Sequence, residues 1–361
     1  MKGIILHGGY GTRLGPLTLS GPKQLLKIAN KPMSQFALED IRNSGINEIA
    51  IVIGDVYPEK VKHHYEDGTR LGVKITYIFQ DKPRGISHAI GLCEDFIGDD
   101  KFVVYLGDNI MRKDLNQFVK KFSSSSHDCM IMLSEVSDPS RFGIAEFVDN
   151  KINKIIEKPE NTNSNLAVIG IYFFTKKIFK IIKKLKPSKR GELEITDAIQ
   201  LLLEEGHHIE YEKITGWWKD TGTPEDIIHA NKLILENLDD HDHSNANIQG
   251  KVLIGNNSTL SKDCSIIGPV IIGDNCEIGP NVILGPNASI GNKVILKKCK
   301  IQNSIIMDNC SIYGEISLID SIVAQNCEII KNVEPQKNQL LLGEFSKLKL
   351  SKVVSFLSLC L

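Results

Sequence analysis

The chain reads as an α/β domain with a mostly parallel, Rossmann-like sheet, followed by an all-β parallel β-helix. Three observations predict this. The apolar run Ile4-Ile5-Leu6 ends in a glycine-rich turn, strand-like and helix-like segments alternate through about residue 230, and aliphatic residues recur every six positions from Ile254 to Leu296.

The first element is a buried strand over Ile4–Leu6 that feeds Gly8-Gly9-Tyr10-Gly11. Glycines in such a turn let backbone N–H groups face an anion, because no Cβ blocks its approach. Arg13 and Lys23 bring two cations to the same corner. Together these predict a polyphosphate cradle at the C-terminal edge of a parallel sheet. No Gly-x-x-x-x-Gly-Lys-Ser/Thr run is present, and Leu14 stands where a dinucleotide fingerprint needs its third glycine. A plain glycine turn would require neither Arg13 nor the Pro22-Lys23 pair.

Further strands are predicted over 49–54, 73–80 and 102–108, with helical stretches over 34–44 and 88–96. This alternation argues for an α/β unit over 1–236. Residues 237–247 are polar and aperiodic, and read as a linker. Asp240, His241 and His243 within it are read as solvated residues rather than metal ligands. In the repeat, Ile254, Leu260, Ile266, Ile272, Ile278, Leu284, Ile290 and Leu296 point into a coil of six-residue sides, giving a β-helix over 248–345. The register slips after Leu296 and resumes at Ile306, Ile312, Leu318, Ala324 and Ile330, which predicts a bulge or a longer loop between 297 and 305. The Cys, Asn and Ala residues of the repeats read as small corner residues. Phe345–Leu350 reads as a capping strand, and the apolar stretch Val353–Leu361 as a segment that packs on a neighbour.

Composition sets the outer limits. At 361 residues the chain holds about two domains. The net charge of −1 and the lack of a basic stripe leave no footprint for nucleic acid. No apolar run is long enough to span a membrane, and the N-terminus enters a strand at once, so a cytoplasmic protein without a membrane partner is expected. The eight cysteines form no Cys-x-x-Cys pair and are read as reduced, buried residues. No histidine follows His243, which argues against acyl-transfer chemistry in the coil and leaves it a structural or assembly role.

Two carboxylates stand out. Asp108 ends a buried strand, where a carboxylate is costly unless paired or metal-bound. Asp220 follows Trp217 and Trp218, which can exclude water. The pair can hold one Mg²⁺ against triphosphate oxygens. A helix cap for Asp108 and a turn role for Asp220 are the plainer alternatives.

The run Gly8-Gly9-Tyr10-Gly11-Thr12-Arg13-Leu14, with Pro22-Lys23-Gln24 downstream, resembles the signature of the sugar-phosphate nucleotidylyltransferases. Co-linear segments strengthen the resemblance: Gln80–Ala89, Gly107-Asp108-Asn109, Arg141–Phe147, Glu157-Lys158-Pro159 and Trp218–Thr223. Arg190–Asp197 is typical of the thymidylyltransferase branch. The whole chain resembles the long-form glucose-1-phosphate thymidylyltransferases, whose C-terminal part is a left-handed β-helix.

The resemblance implies Mg²⁺-dependent transfer of a thymidylyl group from dTTP to a sugar-1-phosphate by a single in-line displacement, giving a dTDP-sugar and pyrophosphate in a homo-oligomer. The attacking phosphate is already an anion, so no general base is required, and positioning dominates. Arg13, Lys23 and Lys158 are the implied catalytic cations. The implied nucleotide site is Leu6, Gly8, Gly9, Gly11, Thr12, Arg13, Lys23, Gln24, Gln80, Pro83, Gly85 and Asp108. The implied sugar site is Asn109, Gly143, Glu157, Lys158, Val168 and Gly170, and the implied metal ligands are Asp108 and Asp220. A Gln80 amide can pair with thymine or uracil. One methyl group gives only about 1–3 kcal/mol of discrimination, so UTP stays open as the alternative triphosphate. A regulatory homologue that binds without turnover is a third reading, against which Arg13, Lys23, Asp108 and Asp220 all stand. Two positions depart from the family pattern. His7 replaces a small alanine, and either packs under the loop, the favoured reading, or narrows the nucleotide site. Lys219 is expected to point away from Asp220, since neighbouring strand residues face opposite sides.

Overall fold

A computed structural model describes residues 1–112, 114–239 and 247–331. Asp240, His241, His243 and everything from residue 332 onward, including the expected capping strand and the apolar end, lie outside the described residues.

Four strands form the parallel heart of the α/β part: β1 (Lys2–His7), β2 (Glu48–Ile53), β3 (Lys74–Phe79) and β4 (Phe102–Leu106). Their order is β4-β1-β2-β3, with Ile5 opposite both Ile51 and Tyr105. Ile4, Ile5, Ile51 and Val104 are fully buried, as a sheet covered on both faces requires. One face is covered by helices α1 (Met33–Asn43) and α2 (Pro58–Tyr65), through residues such as Leu38, Ile41 and Val61. The other face meets α3 (Ile86–Gly91), a helix that ends several residues short of the expected 96, before a separate turn over Glu94–Ile97.

After them come β5 (Asn109–Met111), β6 (Cys129–Glu135), β7 (Gly143–Val148), β8 (Lys151–Glu157) and β9 (Leu166–Phe174). β9 adds antiparallel to β4 and carries the sheet on through β7 and β8, while β6 pairs with β9 and with β10 (Ile209–Lys213). Helix α4 (Ile195–Glu204) packs on this half. The short β11 (Trp218–Asp220) pairs antiparallel with β5, placing Asp220 opposite Asn109. Helix α5 (Pro224–Leu235) follows, with the Thr223 hydroxyl capping the Asp226 N–H at 3.2 Å.

From Ile248 onward the strands stack in parallel, coil upon coil. Val252 faces Val270 and Val270 faces Ala288, each one turn of 18 residues away. Ile266, Ile272, Ile278, Leu284, Ile290 and Leu296 are buried in the coil core, as their spacing predicts. Asparagines at 257, 275, 281, 287, 303, 309 and 326 take left-handed backbone at the corners, a conformation asparagine tolerates. The described cysteines are all free thiols, and those from 264 to 310 are buried in the coil.

The register slip is a bulge, one of the two forms expected, and not a longer loop. Residues 295–302 make one strand with a bulge against Ser311–Ile319 between Lys297 and Cys299. The sides from Leu296 to Ile301 and from Ile301 to Ile306 are five residues long, so the coil is shortened and Ile301 takes a core position. A third five-residue side runs from Leu318 to Val323. Val323 and Ile329 therefore replace Ala324 and Ile330 as the inward residues, and Ile330 is exposed.

Candidate active site

β1 delivers the chain to Gly8 and Gly9 at the top of the parallel strands, where the next segments fold back over it. Gly9 and Gly11 have φ of +92° and +62°, a region that glycine enters without strain. The loop is tied down from within: Gln24 Nε2 donates to the Gly8 carbonyl at 3.0 Å, and the Thr18 hydroxyl donates to the Gly11 carbonyl at 3.1 Å. Leu6, Gly8, Gly9, Lys23, Gln24, Gln80, Pro83, Gly85 and Asp108 line one cleft of about 200 Å³. Gly11 and Thr12 line neither this cleft nor the one beside it: Gly11 packs on Thr18 and Lys23, and Thr12 is exposed.

Gln80 is 3 % exposed, and its Nε2 lies 2.8 Å from His88 Nδ1. With the amide as donor, His88 is the acceptor, in keeping with burial and Arg84 lowering the His88 pKa. The segment 84–87 is clamped by the chain around Leu193. Leu193 N–H donates to the Arg84 carbonyl at 2.8 Å, and Ser87 N–H to the Leu193 carbonyl at 3.1 Å. A Cβ at Gly85 would meet that Leu193 carbonyl oxygen at 2.5 Å. Glu192, from the same run, lines the cleft although no role was drawn for it from the sequence.

A second cleft of about 180 Å³ adjoins the first at Ile86, Leu106 and Asp108. Arg13, Asn109, Gly143, Glu157, Lys158, Val168, Gly170 and Asp220 all line it. Asn109 is 2 % exposed and fixed on three sides. Its Oδ1 accepts from Trp218 Nε1 at 2.7 Å and from the Gly170 N–H at 3.3 Å, and its Nδ2 donates to Asp108 Oδ1 at 3.1 Å. A Cβ at Gly170 would lie 2.6 Å from Asn109 Oδ1. Gly170→Ala is therefore expected to displace Asn109 and weaken sugar-phosphate affinity by about tenfold, measured by titration calorimetry.

Glu157 Oε2 accepts from the Thr196 hydroxyl at 3.1 Å, and Glu157 Oε1 lies 3.3 Å from Arg190 Nη1. Burial and the charge of Glu194 raise the Glu157 pKa. Lys158 has φ of +43°, unusual for a lysine, and its N–H donates to the Phe142 carbonyl at 3.0 Å. Phe142, Tyr172, Thr196 and Trp218 complete the walls. The Arg141–Phe147, Arg190–Asp197 and Trp218–Thr223 runs marked Phe142, Thr196 and Trp218, whereas Tyr172 lies in no such run, because a lone aromatic residue carries no spacing signal.

The two clefts meet at a charged knot. The Lys23 ammonium is ion-paired with the Asp108 carboxylate, and both side chains are largely buried. Burial opposes the Asp108 charge, but Lys23 and the Asn109 amide outweigh it and hold its pKa below the usual carboxylate range. Asp220 has no such partner. Burial, and then the charge of Asp108, push its pKa to about 6 against the pull of Lys23 and Arg13. The Thr221 hydroxyl and N–H both donate to the Asp108 carbonyl, at 2.6 and 3.0 Å, locking the two acids together. Two carboxylates repelling each other beside an open cleft suit a hard divalent cation. Arg13 reaches the same place, since a Cβ at Gly222 would stand 2.9 Å from its Nη2.

Neither departure lines the two clefts. His7 is 4 % exposed and packs edge-on to Tyr65, and both its ring nitrogens lack a hydrogen-bond partner among the described residues. Burial drives its pKa to about 3, with Asp108 opposing and His64 assisting, so it is neutral wherever the protein is folded near neutrality. His7→Ala is expected to leave the triphosphate KM unchanged. Lys219 Nζ lies 4.0 Å from Asp226 Oδ1.

A glycine loop at the end of a parallel strand and a largely buried lysine, facing an acidic pair, make a site suited to phosphate groups. The chain belongs to the nucleotidyl transferase family, whose model matches residues 2–237, and the model of the GMPPB C-terminal domain matches residues 266–355. It is 41 % identical over 357 residues to the low-salt glycan biosynthesis nucleotidyltransferase Agl11 of Haloferax volcanii, covering 97 % of this chain and 100 % of the relative. It is 35 % identical over 362 residues to a glucose-1-phosphate thymidylyltransferase of Streptomyces griseus, with 97 % and 100 % covered. A crystal structure of a Bacillus anthracis glucose-1-phosphate thymidylyltransferase, in complex with a sucrose, superposes with a TM-score of 0.63 at 42 % identity, covering 67 % of this chain and 98 % of that one. No helix among the described residues is long and apolar enough to cross a membrane.

Proposed function

We propose that this sugar-1-phosphate nucleotidyltransferase is of the thymidylyl type, joining dTTP and a sugar-1-phosphate to give a dTDP-sugar and pyrophosphate. The observation that carries the reading is the pair of clefts sharing Asp108, one headed by the glycine loop and the other by Glu157 and Lys158. Two polyanions enter from opposite sides and meet at one carboxylate.

The triphosphate lies on Gly8 and Gly9, with Leu6 and Pro83 beside the base. Gln80 keeps Oε1 for the N3–H of a pyrimidine, because its Nε2 is engaged by His88. Arg13 takes the departing phosphates with its fork of donors. Lys23, paired with Asp108 in the free protein, exchanges to a phosphate oxygen when one arrives. Lys158 holds the phosphate of the sugar, while Glu157, Asn109 and the backbone at Gly143 and Gly170 hold its hydroxyls. Asp108 and Asp220 would hold Mg²⁺, which when bound neutralises charge on the reacting phosphates. The sugar-phosphate oxygen then attacks the α-phosphorus, the bond to the bridging oxygen breaks, and pyrophosphate leaves on the far side.

The test is pyrophosphate release with glucose-1-phosphate and Mg²⁺, comparing dTTP, UTP, CTP and ATP. Strong turnover with dTTP is expected. A UTP rate far above the dTTP rate would transfer the assignment to a uridylyltransferase, and silence with all four alongside binding of the product would mark a regulatory homologue. We also infer a homo-oligomer in which the coil buries Leu253, Ile267, Ile283 and Ile319, which are exposed in one chain. A monomeric mass by sedimentation would refute it.

A further inference from the structure

No residue of the coil lines either cleft, yet the coil holds the nucleotide side of the site from behind. Several contacts do this, among them a hydrogen bond from Asn30 Nδ2 to the Ile290 carbonyl at 2.6 Å. Lys27 Nζ donates to Asp308 Oδ2 at 2.5 Å, with the side chains 22 % and 20 % exposed. Ile305 and Met307 of the coil are buried in the same cluster as Leu14, the residue after Arg13, together with Leu26 and Ile28. Asn231 of α5, the helix that follows Asp220, receives the Ala29 N–H at 2.9 Å and the Ser289 hydroxyl at 2.6 Å through one oxygen.

Asp308 is fixed independently of Lys27. Its Oδ1 accepts the Asn292 N–H at 2.9 Å, the last rung of a corner ladder. In the rungs before it, Asn292 caps Asp274 at 2.8 Å and Asp274 caps Asn256 at 2.7 Å. Lys27 lies four residues from Lys23, which meets Asp108. Among the described residues Lys27–Asp308 is the one ion pair between the coil and the α/β part. It borders a cleft of about 390 Å³ that residues 17–27 share with Lys60, His63 and His64 of α2 and with the coil residues Met307 and Asp308. Leu17 and Leu26 pack against the coil cluster, and along this opening the ion pair ties the end of the segment to the coil.

We propose that Lys27 and Asp308 are positioning residues: the β-helix sets the placement of the Arg13–Lys23 segment through this pair, and so tunes triphosphate affinity from outside the site. The inference rests on the transfer reaction proposed above. Asp308→Asn keeps an oxygen for Asn292 and removes only the charge. In the full-length chain it is expected to raise the dissociation constant and the KM for dTTP by about tenfold, with sugar-1-phosphate affinity and thermal midpoint unchanged. Lys27→Met should do the same, and the double variant should be no worse than either single one, because both remove one interaction. Wild-type dTTP affinity in Asp308→Asn would overturn the proposal. So would an equal loss of both ligands with a lowered midpoint, or additive effects in the double variant. A wild-type chain that binds neither ligand would instead remove the transferase reading, and this inference with it.

Discussion

Arg13→Ala is expected to lower kcat by about a hundredfold or more, the loss typical of removing one preorganised charge from a transition state. The guanidinium stands over Gly222, close enough that a single Cβ there would collide with it, and it feels both Lys23 and Asp220. It is exposed, whereas Leu14 beside it is buried in the joint with the coil. The substitution therefore removes charge at the mouth of the site without opening the core, and the thermal midpoint should hold. Steady-state rates of pyrophosphate release, with a melt of the same preparation, decide it. A variant with near-normal kcat would refute the role given to Arg13.

The second large effect is expected at Asp220. Its pKa of about 6 lies above the usual value because burial and Asp108 both disfavour its charge. Between the ordinary carboxylate value and 6 the folded protein binds a proton that the unfolded chain does not. This carboxylate therefore disfavours folding increasingly as pH rises through that window. For activity the sign is opposite. A cation held there, as proposed, would require the ionised form, so kcat/KM should fall as pH drops below about 6. A cation competes with the proton, so raising Mg²⁺ should move this acid limb to lower pH. Asp220→Asn should abolish the limb and lower the rate by about a hundredfold, on the scale of losing one transition-state charge. An acid limb indifferent to Mg²⁺ would show that another group sets it. His7 is not that group, since its pKa of about 3 keeps it neutral across the range.

Much of this site was legible because it is made of local runs. The glycine turn, Arg13, the Pro22-Lys23 pair, Asp108 at a strand end and Glu157-Lys158 each sit in a few consecutive residues whose chemistry is unusual enough to name. The β-helix was legible because its repeat is periodic, and the periodicity failed only where the coil shortens. Five-residue sides at Ile301, Ile306 and Val323 cannot be told from an inserted loop by counting, because both simply break the spacing.

The sequence by itself determined the order of the elements, the coil and the list of charged groups, since these follow from hydrophobic spacing and residue chemistry along the chain. Only the tertiary structure decided which of those groups act on one another. The β5–β11 pairing brings Asp220 to Asp108 across 112 residues, and Trp218 and Gly170 orient Asn109 between the clefts. The run around Leu193 closes on Gly85, and Asp308 reaches Lys27 across the joint. Electrostatic coupling depends on distance and burial, and neither is written in sequence separation.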